Sequence, residues 1–223
     1  LASFAYAAAH DLKEPLRGIY NYSDILLEDY LSALDEEGQQ YLTEIKAFSQ
    51  RMETLINALL RIAQLRQVTL QYQTTDLNQL LQETTTVIRA SWPETQLNIR
   101  IPRALPCVEC DPVLLNEVFR NLISNALKYN DQPQKWVEVG YQERVSESEE
   151  PVLVVYIQDN GIGIGKEHFK KIFTLFKRLH PQGRYGGGAG IGLAVVNQII
   201  DRHGGQIWVE SAPGEGSTFF FSL

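Results

Sequence analysis

Residues 1–26 read LASFAYAAAHDLKEPLRGIYNYSDIL. Leu1, Ala5, Ala8, Leu12, Pro15, Ile19, Tyr22 and Leu26 recur at alternating spacings of four and three, a heptad seam on a helix that runs to about residue 31. A break follows over Ser32–Gly38, where Asp35 is placed to cap a second helix. That helix carries its own seam through Tyr41, Ile45, Phe48, Met52, Leu55, Leu59 and Ile62. Two long seamed helices on a short loop predict an antiparallel hairpin. One hairpin buries two seams poorly, so pairing with a second copy into a four-helix bundle is the expected solution. A coiled coil within one chain is the alternative, and either way the first domain is α-helical.

The texture changes near Thr69. Strand-like runs occupy Val68–Gln73, Leu97–Ile101, Val137–Gln142, Val152–Gln158, Gln206–Glu210 and Ser217–Ser222, and helical patterns lie between them at Asp76–Ser91, Pro112–Tyr129 and Gly190–His203. This mixture predicts an α+β sandwich with helices on one face of the sheet. The expected division is a helical domain over residues 1–68 and a sandwich over 69–223, with the acidic stretch Ser146–Pro151 as a hairpin loop.

The chain has 223 residues, 44% of them hydrophobic, enough for two packed domains. A net charge of −7 argues against nucleic-acid binding, yet leaves room for a locally positive anion pocket. No apolar run approaches the roughly 20 residues of a membrane span, so no membrane contact is expected, and no signal peptide is visible. Because the chain opens inside a helix, it reads as a fragment of something longer. Cys107 and Cys110 lack a second ligand pair and, in an extended segment, face opposite ways, so they read as ordinary thiols of a reducing cytosol.

With Ala5, Leu12 and Ile19 at heptad position a, His10 falls at f, facing outward. A solvated surface histidine is the plain alternative. Two neighbours point to a site instead. Pro15, inside the helix, removes one backbone hydrogen bond at a cost of about 3 kcal/mol or a kink. Asp11 can orient the imidazole and favour a reactive ring nitrogen.

Further along there is neither a P-loop nor a G-x-G-x-x-G. Instead Glu117, Asn121, Asn125 and Lys128 fall on one helical face, with Tyr129 following. Amide oxygens can hold Mg²⁺ that bridges phosphates, and a lysine can neutralise them; a polar outer helix face is the alternative. Asp159 ends an apolar run and enters the turn Asn160-Gly161-Ile162-Gly163. Its carboxylate can accept a hydrogen bond from an adenine amino group, Gly161 and Gly163 allow close approach and positive φ, and Ile164 can floor the pocket; an ordinary turn is the alternative. Phe173 to Gly188 lacks periodicity and holds Phe173, Phe176, Lys177, Arg178 and Arg184, a composition suited to a hinged lid. Gly188, Gly190 and Gly192 lead into the apolar helix that begins at Leu193, and unpaired amides at such a start bind anions. Gly214-Glu215-Gly216-Ser217-Thr218 is a last glycine turn, equally readable as a plain hairpin. His168, His180 and His203 have no metal-ligand spacing and are expected at the surface.

His10-Asp11 beside Pro15, then Asn121–Asn125, Asp159–Gly163 and Gly188–Gly192, occur in this order. The order resembles that of the sensor histidine kinases of two-component signalling over nearly the whole chain, and the wording H-D-L-K-E-P-L-R is similar to the phytochrome-like branch. The resemblance implies a dimerisation and phosphoacceptor hairpin followed by an ATP-binding domain. It implies that His10 takes the γ-phosphoryl group of ATP with help from Asp11, and that the group passes to an aspartate of a response regulator receiver domain. It implies ATP and Mg²⁺ as cofactors, with Asn125 on the metal, Glu117 in the same stripe, Asn121 and Lys128 on phosphates, and Tyr129 near adenine. It places Asp159, Gly161, Gly163 and Ile164 at the base, Phe173, Phe176 and Arg178 in a lid, and Gly188, Gly190, Gly192, Leu193 and Thr218 around the nucleotide. A homodimer through the hairpin also follows from it. Bifunctional relatives carry Thr or Asn where this chain has Glu14; a carboxylate there would repel a phosphoryl group, which argues against phosphatase activity. Two other readings are disfavoured: a nucleotide-binding dimer that signals without transfer, by the retention of His10 together with the complete pocket, and a relative that uses ATP for clamping or serine phosphorylation, because such relatives lack the His10 hairpin.

Overall fold

The computed structural model describes residues 2–92, 97–145, 151–179, 185 and 190–223, with side chains from Ala9 onward except at Val145. The chain forms two compact units, Leu1–Val68 and Thr69–Leu223.

The first unit is a helical hairpin. Helix α1 (Ala2–Asp29) runs uninterrupted through Pro15. After a 3₁₀ turn at Leu31–Ala33, the Asp35 carboxylate accepts the Gly38 N–H at 2.8 Å and caps helix α2 (Glu36–Leu65). The Gln39 amide group donates to the Leu31 and Leu34 carbonyls and ties the loop to α2. The helices bury Ala9, Leu16 and Ile56, with Leu60 packed against them. A Lys46–Asp24 ion pair crosses the hairpin, with Lys46 Nζ 5.1 Å from the centre of the Tyr20 ring.

This buried stripe is not the seam expected from the heptads. Leu12, Ile19, Tyr22, Leu26, Tyr41, Ile45, Phe48, Met52 and Leu59 all remain exposed. Ala9, Leu16 and Ser23 each follow a seam position by one residue, so the hairpin closes on the neighbouring stripe. Small side chains at Ala9, Ser23 and Ser49 let the helices approach there, and the two serine hydroxyls donate back to the carbonyls of Ile19 and Ile45. The bulky seam is left pointing away.

The second unit is an α/β sandwich. Its five-stranded sheet has the order β2 (Leu97–Arg100), β4 (Lys135–Val145), β5 (Pro151–Asp159), β7 (Ser217–Ser222), β6 (Ile207–Ser211). Only the β2–β4 pair is parallel. Val137, Val139, Val155, Ile157, Phe219 and Phe221 alternate onto one face and are buried. Helix α4 (Pro112–Lys128) lies there, with Phe119 edge-on to Phe221 at 6.0 Å between ring centres. Helices α3 (Leu77–Ser91) and α5 (Gly192–Arg202) pack against α4. A two-stranded antiparallel ribbon of β1 (Gln73–Asp76) and β3 (Cys107–Cys110) accompanies them, leaving Cys107 exposed and Cys110 buried.

Some expectations need correction. Val68–Gln73 is not a strand; the strand begins at Gln73. Val68 N–H closes the last turn of α2 on the Gln64 carbonyl at 3.0 Å, and Gln71 N–H goes to the Asp111 carboxylate at 3.0 Å. His203 is buried rather than at the surface. Its Nε2 accepts the Asp111 N–H at 3.1 Å and its Nδ1 lies 2.8 Å from the Ile199 carbonyl, so the ring carries its proton on Nδ1. His180 and the acidic loop at 146–150 lie outside the described residues.

Candidate functional site

His10 stands on α1 with its side chain 72% exposed, and its Nδ1 lies 3.3 Å from Asp11 Oδ1. That contact occupies one ring nitrogen and leaves Nε2 facing solvent. Glu14, one turn on, is also exposed.

In the second unit the sequence-distant motifs converge at the carboxyl end of β5. Asp159 is buried, and the loss of water around it pushes its pKa up to about 6, against the pull of two amide hydrogen bonds. Those bonds come from Gly161 N–H at 2.7 Å and Ser217 N–H at 3.3 Å, both to Oδ1. Ile162 N–H donates to the Tyr129 carbonyl at 3.0 Å, fastening this turn to the end of α4. Gly161 does not have positive φ, contrary to expectation; it must be glycine because a Cβ would lie 2.4 Å from the Tyr129 carbonyl oxygen. Gly163 does have positive φ, 71°, and a Cβ there would strike the Ala212 carbonyl. The last glycine turn closes on the same place, with Gly214 N–H on the Ile162 carbonyl at 2.7 Å and Gly216 against the Asp159 carbonyl. Ile164 is half-buried, held by its N–H on Ser211 Oγ at 2.8 Å.

The asparagine stripe meets the start of α5. Asn121 Nδ2 donates to the Glu117 carbonyl at 2.8 Å, and a Cβ on Gly192 would lie 2.7 Å from Asn121 Oδ1. Glu117, Asn121, Asn125, Lys128, Tyr129 and Leu193 are all half-buried, while Leu122, Ile123, Ala126 and Leu127 of the same helix are buried. Among the described residues no group of three or more His, Cys, Asp or Glu could hold a metal. An amide oxygen such as that of Asn125 is a ligand type that suits a hard cation taking most of its ligands from phosphates and water; Glu117 lies eight residues, roughly 12 Å, back along α4 and does not form one donor set with it.

At the far end of this stripe Lys128 feels the charge of Arg178. The Lys128 ammonium is pulled below its usual pKa by burial and by the Arg178 guanidinium. Like charges held together in a half-buried place are the electrostatics of an anion site. The Lys128 ammonium also lies 5.3 Å from the Tyr129 ring centre, and Tyr129 meets Tyr185 edge-on at 5.6 Å. Tyr185 in turn donates its hydroxyl to Asp131 at 2.7 Å. Phe173 packs edge-on to Phe219 at 6.5 Å. Phe176 adopts a positive φ of 63° and donates its N–H to the Gly190 carbonyl at 2.9 Å. Gly190 itself has φ 69° and lies ahead of α5 rather than within it. Gly188 lies outside the described residues.

Thr218 does not reach this cluster. It pairs with Gln158 and Glu210, and strand alternation turns its side chain to the opposite face of the sheet from its neighbour Ser217. Ser217 and Ser211 are the residues that sequence reading missed; strand alternation from Phe219 and Phe221 would have selected Ser217. Asn160 was missed as a clamp. Its Oδ1 accepts from Asn130 Nδ2 and Trp136 N–H, each at 3.0 Å, and its Nδ2 donates to the Gln134 carbonyl at 2.8 Å.

A hairpin with an exposed, carboxylate-linked histidine, followed by a sandwich whose glycine turns and asparagine stripe share one end of the sheet, is the arrangement expected of the class that joins a histidine-bearing helical hairpin to a nucleotide-binding domain. Comparison with known proteins agrees. The profile of the His Kinase A (phospho-acceptor) domain matches residues 1–68, and that of the histidine kinase-, DNA gyrase B- and HSP90-like ATPases matches 110–223. Cyanobacterial phytochrome B of Nostoc sp. is 49% identical over the whole of this chain, which spans 29% of that protein. Full-length ShkA in complex with AMPPNP superposes with a TM-score of 0.69 at 22% identity, over 100% of this chain and 46% of that one. Histidine kinase ThkA, in complex with response regulator protein TrrA, superposes with a TM-score of 0.64 at 22% identity, over 99% and 60%. The chain belongs to the sensor histidine kinases of two-component systems.

Proposed function

We propose that this chain is an ATP-dependent protein-histidine kinase core that phosphorylates His10 and passes the group to a receiver-domain aspartate. The observation that carries the reading is the convergence on Asp159: a buried carboxylate with one oxygen taken by amides, ringed by glycine turns. The remaining oxygen is suited to the adenine amino group. Lys128 and Arg178 would neutralise the phosphates, and Asn125 would hold Mg²⁺, which when bound spreads the negative charge of the transferring group; Glu117, eight residues and roughly 12 Å back along α4, is too far away to share that cation. Asp11 would take a hydrogen bond from Nδ1–H of His10, leaving the Nε2 lone pair to attack the γ-phosphorus. The bond to the β-phosphate bridging oxygen then breaks and ADP leaves, while Asp11 steadies the cationic ring. Such transfer needs positioning and charge stabilisation more than covalent chemistry. The exposed seam of Leu12, Ile19, Tyr22, Phe48 and Met52 supports a homodimer, since a second copy carries the same stripe.

Incubation with γ-labelled ATP tests this. Label that appears on the wild type, is lost in acid and is absent from His10→Gln is the expected result. Acid-stable label, or undiminished label on His10→Gln, would overturn it.

A further inference from the structure

Ser211, the last residue of β6, pairs with Ser217, the first of β7. Its hydroxyl has three neighbours: Ile164 N–H at 2.8 Å, the Gly216 carbonyl at 2.6 Å and Ser217 Oγ at 3.0 Å. A hydroxyl offers one proton and two lone pairs. The Gly216 carbonyl can only accept, so the Ser211 proton goes there. Ile164 N–H fills one lone pair. The other must accept the proton of Ser217. All three directions are thus fixed by exclusion.

The consequence reaches Asp159. Ser217, buried and held by its hydroxyl, presents its N–H to Asp159 Oδ1, which also takes Gly161 N–H. Among the described residues, Oδ2 has no hydrogen-bond donor. Meanwhile the grip on Gly216 keeps the last glycine turn, with its φ of 82°, against the Asp159 carbonyl.

We propose that Ser211 is a positioning residue for the base: through Ser217 and the Gly216 turn it holds Asp159 with a single oxygen presented as acceptor, and so makes the site prefer purines with a 6-amino group. This rests on the nucleotide reading above. A 6-amino group donates to that oxygen; a purine without it leaves the carboxylate unpaired, and a 6-oxo purine sets acceptor against acceptor. Without the Ser211 hydroxyl, Ser217, Ile164 N–H and the Gly216 turn are all loosened, and the carboxylate, still held by Gly161 N–H, is fixed less firmly on its Ser217 side.

Calorimetric titration of the chain with Mg²⁺ and either ADP or its analogue lacking the 6-amino group reads this directly. Wild type is expected to prefer ADP. Ser211→Ala should cut that preference by about five-fold, the weight of one lost hydrogen bond, with the analogue's own Kd nearly unchanged. Ser211→Thr, which keeps the hydroxyl, should restore it. Ser217→Ala leaves the Ile164 and Gly216 bonds intact and should lower the same ratio by a smaller factor, which keeps the test available if Ser211→Ala folds poorly. An unchanged ratio in Ser211→Ala, or equal weakening of both ligands, would overturn the positioning role alone. A wild type that binds neither ligand would overturn the nucleotide reading itself.

Discussion

Along the hairpin Leu12, Ile19, Tyr22, Tyr41, Phe48 and Met52 lie exposed, whereas in the sandwich Leu115, Phe119, Ile123, Val139 and Phe221 have no exposure at all. The sandwich completes a core of its own. Its buried polar residues, Thr84, Asp111, Asn130, Asp159, His203 and Ser217, are each held by named partners, and among the described residues His168 Nδ1 is the one buried side-chain polar atom without a hydrogen bond. The hairpin closes only one of two adjacent apolar stripes and exposes His10. A bundle that assembles with a second copy can present a side chain to large partners, while a self-contained sandwich can bury a carboxylate and shape a pocket around it. Substitutions should therefore separate cleanly: those on the hairpin alter transfer and association, those in the sandwich alter binding and stability.

The largest expected effect joins the two regions. His10→Gln and Asn125→Ala should each abolish labelling by γ-labelled ATP, the first without changing ADP affinity and the second by removing a metal ligand. Mixing the two proteins then reads the route of transfer: restored label means transfer across a dimer, absent label transfer within a protomer. Loss of ADP binding in His10→Gln would break the separation of roles. Next comes the seam. Leu12→Glu with Ile19→Glu should raise the dimer dissociation constant at least about 100-fold, because each apolar side chain contributes about 1.5–3 kcal/mol when covered. Sedimentation measures this, and an unchanged dimer would mean that the exposed stripe is not the contact.

Asp159→Asn should split binding from stability. The folded carboxyl titrates near 6 instead of its ordinary 3.8, so the folded state prefers the proton. The associated stability is complete below about pH 4 and is lost as pH rises through 6. Above that, burying the charge costs on the order of 3 kcal/mol. The asparagine variant should melt higher than wild type at pH 8, match it near pH 4, and bind ADP poorly at both. A variant less stable at pH 8 would show that the amide bonds to Oδ1 outweigh the burial.

The two regions also differed in how far their sequences could be read. Heptad spacing exposed both long helices, and Asp35 announced the second, because capping and helical periodicity are local. Which stripe the hairpin buries was hidden, since Ala9, Ser23 and Ser49 are small or polar and look unsuited to a core. In the sandwich the alternating valines of β4 and β5 were plain. Val68–Gln73 misled because its β-branched and aromatic residues suit a strand, while its Gln71 N–H is claimed by a carboxylate forty positions on. His203, among polar residues and glycines, gave no sign that Asp111 would bury it. Ser211 sits beside a glycine turn where serine ordinarily meets water, so only its contact with Ile164 reveals it, whereas alternation back from Phe219 and Phe221 already pointed to Ser217.

The smallest expected effect probes the sandwich away from its glycine turns. Asp111 caps α4 with Oδ1 on Val113 N–H at 3.1 Å and Leu114 N–H at 3.2 Å, while Oδ2 takes Gln71 N–H at 3.0 Å. Asp111→Ala leaves these amides without their acceptor and should cost about 2 kcal/mol. Asp111→Asn keeps one acceptor oxygen and should cost about half as much. Fourteen residues of helix, roughly 21 Å, separate this cap from Asn125, so neither variant should move ADP affinity by more than about two-fold, below 0.5 kcal/mol. Denaturant titration beside ADP calorimetry checks both halves. A large affinity loss in Asp111→Asn would mean that strain at the start of α4 is transmitted to its far end, and that the sandwich is less rigid than its closed core implies.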